Sequence, residues 1–247
     1  MNRGRRVRSG APAAGHRAAN DPGLYEDLAD EWWKPRGAFA PLHWLADSRA
    51  ALVPIATRSG SRLLDLACGG GLLAPRVQSK GHAHIGIDIG RSATRLSREH
   101  GITAVLGDVV HLPFPAASFD VVVAGEMLEH VTDLPGTVAE IGRVLRLGGV
   151  LVCDTLADSR RCAFWMVAVG ERIGVVPCGV HDPALFVNPQ RLQGLCAAVG
   201  IDLRVQGLRP SVPNVMAWLL KRREDVTMVS TGSVKMVFQG TGSKVRS

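Results

Sequence analysis

Short apolar runs alternate with amphipathic stretches along most of the chain. Runs such as Val121-Val122-Val123 are continuously apolar, which is typical of strands buried on both faces of a parallel sheet. The stretches between them repeat their apolar residues at helical spacing. The pattern therefore predicts an α/β protein with a doubly wound, mostly parallel seven-stranded sheet. The predicted strands cover residues 62–67, 83–89, 103–106, 119–124, 150–155 and 202–208, with a final edge strand over 234–238.

Two helices are predicted ahead of the first strand, over residues 24–33 and 41–57, and a third follows that strand over 71–80. The segment 158–188 departs from the alternation because it combines an apolar stretch with several prolines and glycines, so we expect an inserted cap. The chain is divided into a disordered basic tail (1–22), a folded domain (23–240) that contains the cap, and a flexible C-terminal tail (241–247).

The positive charge of the chain is concentrated at its two ends. The formal net charge is +7 over 247 residues, but five arginines and no acidic residue lie within 1–20. The body of the chain, 21–220, carries a slightly negative net charge. A basic surface on the folded part, as nucleic-acid binding needs, is therefore not indicated.

The five cysteines are odd in number and form no C-x-x-C pair, which argues against a disulfide framework or a zinc knuckle. No apolar run reaches the length of ~18 residues that a membrane span needs. We therefore expect a protein of the reducing cytoplasm.

A predicted strand runs into three consecutive glycines, Gly69 to Gly71, and then into a helix. Such a loop lets a nucleotide-type ligand approach the backbone without obstruction by side chains. Asp88 ends the next strand 17 positions after Gly71, which also satisfies a loose dinucleotide fingerprint. The loop alone leaves NAD, S-adenosylmethionine and a purely structural turn open.

Three further features favour S-adenosylmethionine. Asp65 lies inside the first strand, where its carboxylate can orient the loop or meet the cationic methionine end of the cofactor through water. Asp108 follows the third strand, where an adenine edge could be read, and Gly148-Gly149 leads into the fifth strand. Each has an ordinary alternative, since Asp108 could form a turn and the glycines could end a helix. With these features the chain resembles the class I S-adenosylmethionine-dependent methyltransferases.

Four separated motifs resemble the ubiquinone-biosynthesis O-methyltransferase family. They are Trp32-Trp33 with the segment 37–43, the loop 65–71, Glu126-Met127-Leu128-Glu129-His130-Val131, and the segment 179–189. The resemblance extends from about Tyr25 to about Leu208. It implies methylation of a ring hydroxyl on a small hydrophobic phenolic substrate, a polyprenylated catechol-like molecule, with S-adenosylmethionine as the cofactor.

The resemblance also implies contacts with that cofactor. Arg49 matches the arginine that holds the cofactor's carboxylate, and Asp88 matches the acid that binds the ribose hydroxyls. The chain departs from the family at Ala67, where a glycine is usual, and at Gly125, where a methionine is common. The predicted cofactor-binding residues are Arg49, Asp65, Ala67, Gly69, Gly71, Asp88, Asp108 and Gly125.

Glu126, Glu129 and His130 are spaced i, i+3, i+4, which predicts that they share one face of a helix just past the fourth strand. Two carboxylates and an imidazole suit Mg²⁺, Mn²⁺ or Zn²⁺. The resemblance implies that these three residues hold a divalent cation, Mg²⁺ or Zn²⁺, and so are catalytic. Two alternatives remain open: His130 is a general base oriented by a glutamate, or all three are ordinary polar residues at a helix start.

The cap segment begins with Arg160-Arg161 and continues into an apolar stretch with Phe164 and Trp165. This composition suits peripheral contact with the inner face of a membrane through residues 160–177, or a cap that packs over its own site. His43 and His181 are candidates for lining the substrate pocket.

Rival functions are C-methylation of a quinone, O-methylation of a polyketide phenol, and a non-catalytic partner that binds S-adenosylmethionine. An NAD-dependent oxidoreductase is disfavoured because Tyr25 is the only tyrosine available for a Tyr–Lys pair.

Overall fold

The computed structural model describes residues 20–246, apart from residue 22 and residues 172–176. Most of the predicted disordered tail, residues 1–19 and 22, lies outside the described residues. Asn20 and Asp21 are described, and the backbone N–H of Asn20 donates to the carbonyl oxygen of Gly179 at 2.9 Å. The boundary predicted at residue 22 is therefore too late, because Asn20 already contacts the folded domain.

An eight-stranded sheet forms the centre of the described part of the chain. Its strands are β1 (Arg62–Leu66), β2 (Ala83–Asp88), β3 (Thr103–Leu106), β4 (Phe119–Gly125), β5 (Leu145–Leu156), β6 (Ile201–Pro210), β7 (Met228–Thr231) and β8 (Val237–Lys244). The order across the sheet is β3-β2-β1-β4-β5-β8-β6-β7. The first five strands pair in parallel, whereas β8 lies antiparallel between β5 and β6, and β7 is antiparallel to β6. The predicted class is confirmed, with β7 as an additional strand.

Helices cover both faces of the sheet. They are α1 (Gly23–Asp27), α2 (Ala40–Leu52), α3 (Ala74–Val77), α4 (Arg91–Glu99), α5 (Leu134–Val144), α6 (Arg160–Ala163), α7 (Pro189–Ala198) and α8 (Val212–Leu219). The largest apolar cluster joins the sheet to α5 and α7. A second cluster joins the opposite face to α2 and α3. Burial on both faces explains why the central strands are continuously apolar.

The helices near the N-terminus are shorter than the sequence predicts. The predicted helix 24–33 ends as α1 at Asp27 and is followed by a single 3₁₀ turn over Ala29–Glu31. The predicted helix 71–80 begins as α3 only at Ala74, because the glycine loop takes left-handed backbone conformations that a helix does not use.

The C-terminal strand corrects two predictions, the edge strand over 234–238 and the flexible tail over 241–247. β8 extends to Lys244 and lies inside the sheet, and its Phe238 is fully buried. The strand signal is weak here because β8 contains Gly240 and Gly242. A Cβ at Gly242 would lie 2.8 Å from a backbone oxygen of β6, so the close approach of the two strands requires glycine.

The segment 158–188 leaves the sheet after β5. α6 continues into a π-helix over Phe164–Gly170. Cys162 is fully buried and packs against Leu156 and Phe186, which anchors the segment to the domain. The side chains of Phe164 and Trp165 are about half exposed, at 57% and 53%. Within the described residues, every helix is too short or too polar to cross a lipid bilayer.

Replacing Phe238 with Ala is expected to lower the free energy of unfolding by about 3–5 kcal/mol, because it leaves a cavity in an interior strand. Chemical denaturation measures this loss. The control is Val245→Ala, just beyond the same strand, where a side chain that is 64% exposed should change stability by less than about 0.5 kcal/mol. Equally small losses in the two variants would contradict the placement of β8 in the core.

Candidate active site

The loops that follow β1, β2, β4 and β5 meet at one edge of the sheet, because these strands are parallel neighbours. This carboxyl edge is where doubly wound sheets bind ligands. The N-terminal segment crosses the same edge, since the Glu26 carboxylate accepts a hydrogen bond from the backbone N–H of Ser92 at 3.1 Å. The helix α1 therefore lies next to the start of α4 at this edge.

Asp88, at the end of β2, holds the glycine loop in place by hydrogen bonding. Its two carboxylate oxygens accept hydrogen bonds from the backbone N–H groups of Gly69 (2.8 Å) and Gly90 (2.7 Å). Burial raises the pKa of Asp88 above its ordinary value, and the two hydrogen bonds oppose that shift. Gly71 and Ala67 both have positive φ, at +82° and +48°. Glycine, which is usual at position 67 in the family, adopts this backbone conformation freely. Alanine at position 67 adopts it at a cost of about 1–2 kcal/mol.

Two tryptophans cover the glycine loop. The indole N–H of Trp33 donates to the carbonyl oxygen of Gly70 at 2.9 Å. The ring of Trp32 lies so close to Gly69 that a Cβ there would be 2.4 Å from it. The Trp32 Nε1 is buried and lacks a hydrogen-bond partner in the described structure. A buried donor without a partner beside this loop fits a ligand that supplies an acceptor, such as the carboxylate of S-adenosylmethionine.

Arg49 lies at the site, but Asp154 engages its guanidinium. Its Nε and Nη2 donate to the two carboxylate oxygens of Asp154, both at 2.6 Å, and both residues are buried. Gly125 leaves room for this pair, because a Cβ there would lie 1.9 Å from Cζ of Arg49. Arg49 is therefore a partner of Asp154 in this structure, and the cofactor contacts of Arg49 and Gly125 stay predictions.

Two other predicted cofactor acids have partners within the protein. The Asp65 carboxylate lies 3.3 Å from Nε2 of His84, which places it against β2. Asp108 is exposed and accepts a hydrogen bond from the backbone N–H of Val110 at 3.0 Å. The turn-forming alternative therefore describes Asp108, and a contact of either acid with the cofactor stays a prediction.

The segment that carries Glu126, Glu129 and His130 is a bend followed by a turn, so the prediction of a shared helical face is wrong. Glu126 breaks the regular backbone with a φ of +49°. The next helix, α5, begins only at Leu134, where the Asp133 side chain accepts the backbone N–H of Gly136. Because the segment is not helical, the i, i+3, i+4 spacing does not determine which of the three side chains contact one another.

The carboxylates of Glu126, Glu129 and Asp154 interact with one another at this point, and Arg49 acts on Glu126 and Asp154. Burial, Glu129 and Asp154 raise the pKa of Glu126 well above its ordinary value, whereas Arg49 opposes this rise. Burial and Asp154 raise the pKa of Glu129 to about 7, against a hydrogen bond that Thr155 Oγ1 donates to its Oε2 at 2.6 Å. Oε1 of each glutamate lacks a hydrogen-bond partner in the described structure. The excess negative charge calls for a proton or a cation.

His130 and His181 stack on one another beside these acids, with ring centroids 5.4 Å apart. Burial, aided by His181, lowers the pKa of His130 to about 3. Burial also lowers the pKa of His181 to about 4. Both imidazoles are therefore neutral near pH 7, the form that binds metals. Nδ1 of His181 is buried and unpaired in the described structure.

The structure brings Glu129, His130 and His181 together, with one ligand atom from each within 4.8 Å of the others. Glu126 is not part of this group, so the structure offers a candidate set with His181 in place of Glu126, and the predicted set of Glu126, Glu129 and His130 stays a prediction. Sequence spacing could not find this set because His181 belongs to the cap. One carboxylate and two neutral imidazoles suit Zn²⁺ better than Mg²⁺, which prefers oxygen ligands.

Sequence reasoning missed several residues of the site. The hydroxyl of Tyr25 lies 3.3 Å from Nε2 of His130, and the side chain of Asn20 contacts the same residue. Asp154 lies near the end of a predicted strand at the carboxyl edge, which was a usable signal. Tyr25 and Asn20 carry no motif, because they reach the site only through the path of the N-terminal segment.

Comparisons with known proteins identify the class to which this fold and glycine loop belong, the methyltransferases that use S-adenosylmethionine. Residues 64–153 match the family described as "Methyltransferase domain". A Thermotoga maritima S-adenosylmethionine-dependent methyltransferase, titled a possible histamine N-methyltransferase, has a TM-score of 0.63 at 18% identity and covers 90% of this chain and 95% of its own. A Haemonchus contortus phospholethanolamine N-methyltransferase 2, solved with S-adenosylhomocysteine, has a TM-score of 0.58 at 16% identity and covers 89% of this chain and 59% of its own.

Curated relatives narrow the class further. The ubiquinone biosynthesis O-methyltransferase of Paracidovorax citrulli is 31% identical over 74% of this chain and 82% of its own length. The protein of the same name from Azoarcus sp. is 30% identical over 82% of this chain and 91% of its own length. The chain belongs to the ubiquinone biosynthesis O-methyltransferase family.

Replacing Gly125 with Ala is expected to lower the free energy of unfolding by about 3–5 kcal/mol. The new methyl group displaces Arg49 and leaves Asp154 buried without its cation. The matched control is Gly194→Ala in α7, where nothing lies within 4 Å of an added Cβ. That change should raise stability by about 0.5–1 kcal/mol through helix propensity. If Gly125→Ala raised stability as Gly194→Ala does, in both thermal and chemical denaturation, Gly125 would not be what makes room for the ion pair.

Proposed function

We propose that this protein transfers a methyl group from S-adenosylmethionine to a ring hydroxyl of a hydrophobic catechol- or quinone-type metabolite, with help from a divalent cation. The relatives named for ubiquinone biosynthesis support this substrate class. The aromatic surroundings of the site support a flat ring as the acceptor. The stacked His130 and His181, with Tyr25 and Phe186 set edge-on against them, form such surroundings.

One observation carries the proposal of a cation: among the described residues, Glu129 Oε1 and His181 Nδ1 are buried without a hydrogen-bond partner, and both residues cluster with His130. These three residues would hold the cation. When bound, it would act as a Lewis acid that lowers the pKa of the substrate hydroxyl and favours the oxyanion. Thr155 orients the Glu129 carboxylate by donating to Oε2, so that Oε1 is left for the cation. Glu126 Oε1 is a further buried acceptor, suited to a hydroxyl group of the substrate or cofactor.

A metal-free reaction is the second candidate, with His130 as the general base. The observation that favours it is the contact of His130 Nε2 with the hydroxyl of Tyr25, because that nitrogen already pairs with a phenol. His130 would then take the proton of the substrate hydroxyl while the oxyanion attacks the methyl group in line.

Transfer from labelled S-adenosylmethionine to a short-tailed polyprenyl catechol is expected to stop with EDTA and to return with added Zn²⁺, Mn²⁺ or Mg²⁺. His181→Ala should weaken metal binding measured by calorimetry more than Glu126→Gln does, because only His181 belongs to the clustered ligand atoms. Asp88→Ala should weaken cofactor binding, whereas Glu129→Ala should spare it and lose turnover.

Each other outcome has a definite meaning. Turnover that is indifferent to EDTA assigns the reaction to His130 alone. A Glu129→Ala variant that no longer binds the cofactor would contradict the separation of the two sites. No transfer to the catechol with the cofactor bound would overturn the proposed substrate class. Exposed Glu99→Gln, far from the site on α4, is the matched control for charge removal.

We also propose peripheral contact with an anionic membrane through the segment 160–177, of which 172–176 lie outside the described residues. Arg160 and Arg161 are exposed at the head of α6, and the half-exposed Phe164 and Trp165 follow on the π-helix. Cations beside exposed aromatic side chains suit the interface of a bilayer. A cytoplasmic protein would then meet a lipid-tailed substrate at the inner face of the membrane.

In a flotation assay with vesicles that contain phosphatidylglycerol, the wild-type protein is expected to rise with the vesicles. The double variant Phe164→Ser, Trp165→Ser should bind several-fold less, because it removes the apolar surface that would be buried in the membrane. The control is Ile55→Ser, which removes a side chain that is 69% exposed just before β1, at the opposite edge of the sheet. Equal binding of all three proteins would contradict contact through the cap.

A further inference from the structure

Asn20 joins three segments that meet over the site. Its backbone N–H donates to the carbonyl oxygen of Gly179 in the cap at 2.9 Å. Its side-chain Nδ2 donates to the backbone oxygen of His130 at 2.9 Å, and its Oδ1 lies 2.6 Å from Nδ1 of the same residue. Both ends of one amide are therefore used on His130.

These two contacts determine the position of a proton. The bond to the His130 carbonyl can be made only by the amide nitrogen, so the amide oxygen must face the imidazole. An amide oxygen accepts and cannot donate, hence Nδ1 of His130 carries a hydrogen. A neutral imidazole has one ring hydrogen, and Nε2 is consequently the nitrogen with a free lone pair.

Tyr25 independently agrees with this tautomer. Its hydroxyl lies 3.3 Å from Nε2 of His130 and can donate to a nitrogen that has no hydrogen. The Tyr25 ring is held by stacking against Trp32 and Phe39, and it meets the His130 ring edge-on. The lone pair of Nε2 thus points to where a phenolic hydroxyl of the chain itself is bound.

We propose that Asn20 is a positioning residue that keeps the ring proton of His130 on Nδ1, so that Nε2 offers its lone pair to the site and a substrate hydroxyl or a cation takes the place of the Tyr25 hydroxyl. The inference rests on the proposed function, because the lone pair is useful only if His130 binds the cation or the substrate. Either mechanism considered above needs the same nitrogen free of a proton. Outer partners of this kind set the tautomer of ligating histidines.

The first experiment needs no turnover. Protein labelled with ¹⁵N-histidine is examined by long-range ¹⁵N–¹H correlation spectra at mildly alkaline pH, and His130→Gln identifies the His130 signals. In the wild type, Nδ1 is expected as the proton-bearing nitrogen and Nε2 as the proton-free one. Asn20→Gly should shift this population toward the other tautomer. Glycine is chosen because Asn20 has a φ of +62°, which glycine also adopts.

Two variants separate the tautomer from the docking of the segment. Asn20→Asp retains an acceptor for the Nδ1 hydrogen, although it loses the donor to the His130 carbonyl, and should keep the ring proton on Nδ1. Glu26→Gln weakens the contact of the same segment with the start of α4, but leaves Asn20 in place. Its spectrum should match the wild type. A Glu26→Gln spectrum that changes like that of Asn20→Gly would show that Asn20 acts only by docking the segment.

The same variants are then tested for methyl transfer. Asn20→Gly is expected to lower kcat by about 10-fold to 100-fold, as loss of an outer partner does, with a much smaller change in KM for the cofactor. Asn20→Asp should recover most of that loss. A wild-type Nε2 that carries the proton, or an unchanged spectrum in Asn20→Gly, would overturn the inference. Absence of transfer by the wild type with the expected tautomer would instead overturn the proposed function.

Discussion

The buried ion pair of Arg49 and Asp154 is the contact on which the rest of the site depends. It connects α2 to β5, and Arg49 also opposes the rise in the pKa of Glu126 that burial and the neighbouring acids cause. An isolated charge in such a place costs several kcal/mol, by order of magnitude, so the pair persists only because two hydrogen bonds and close packing support it. The ion pair requires glycine at position 125, because any larger side chain would occupy the space of the guanidinium. The remaining negative charge is what makes a cation or a shared proton reasonable at Glu126 and Glu129.

The site is completed by segments outside the sheet. The loop after β4 brings Glu129 and His130, the cap brings His181, and the N-terminal segment brings Asn20 and Tyr25. Asn20, Tyr25 and His181 all contact His130, so the three segments meet at this residue. A doubly wound sheet supplies only the edge at which they meet. This arrangement agrees with the general finding that one fold serves many reactions, and that function resides in the residues placed on it.

The sequence predicted the parts of the structure that periodicity controls. A continuous apolar run identified β4 because both of its faces are buried, and the glycines followed by Asp88 marked the cofactor edge. Periodicity failed at Glu126, where a positive φ interrupts the backbone, and at β8, where close approach requires glycine in place of apolar side chains. It could not identify His181 or Asn20, because their role depends on how the cap and the N-terminal segment fold over the sheet. Family resemblance pointed to Glu129 and His130, and tertiary contact is what clusters His181 with them.

The proposed ligand set of Glu129, His130 and His181 has a chemical consequence. A set with two imidazoles and one carboxylate is softer and less charged than a set with two carboxylates, so its preference moves from Mg²⁺ toward Zn²⁺. With His181 in the set, Glu126 keeps its buried carboxyl for another partner, and its strained backbone is typical of residues held for function. Cation and substrate then need not compete for the same carboxylate. The cap, which carries His181, would then take part in binding the proposed cation.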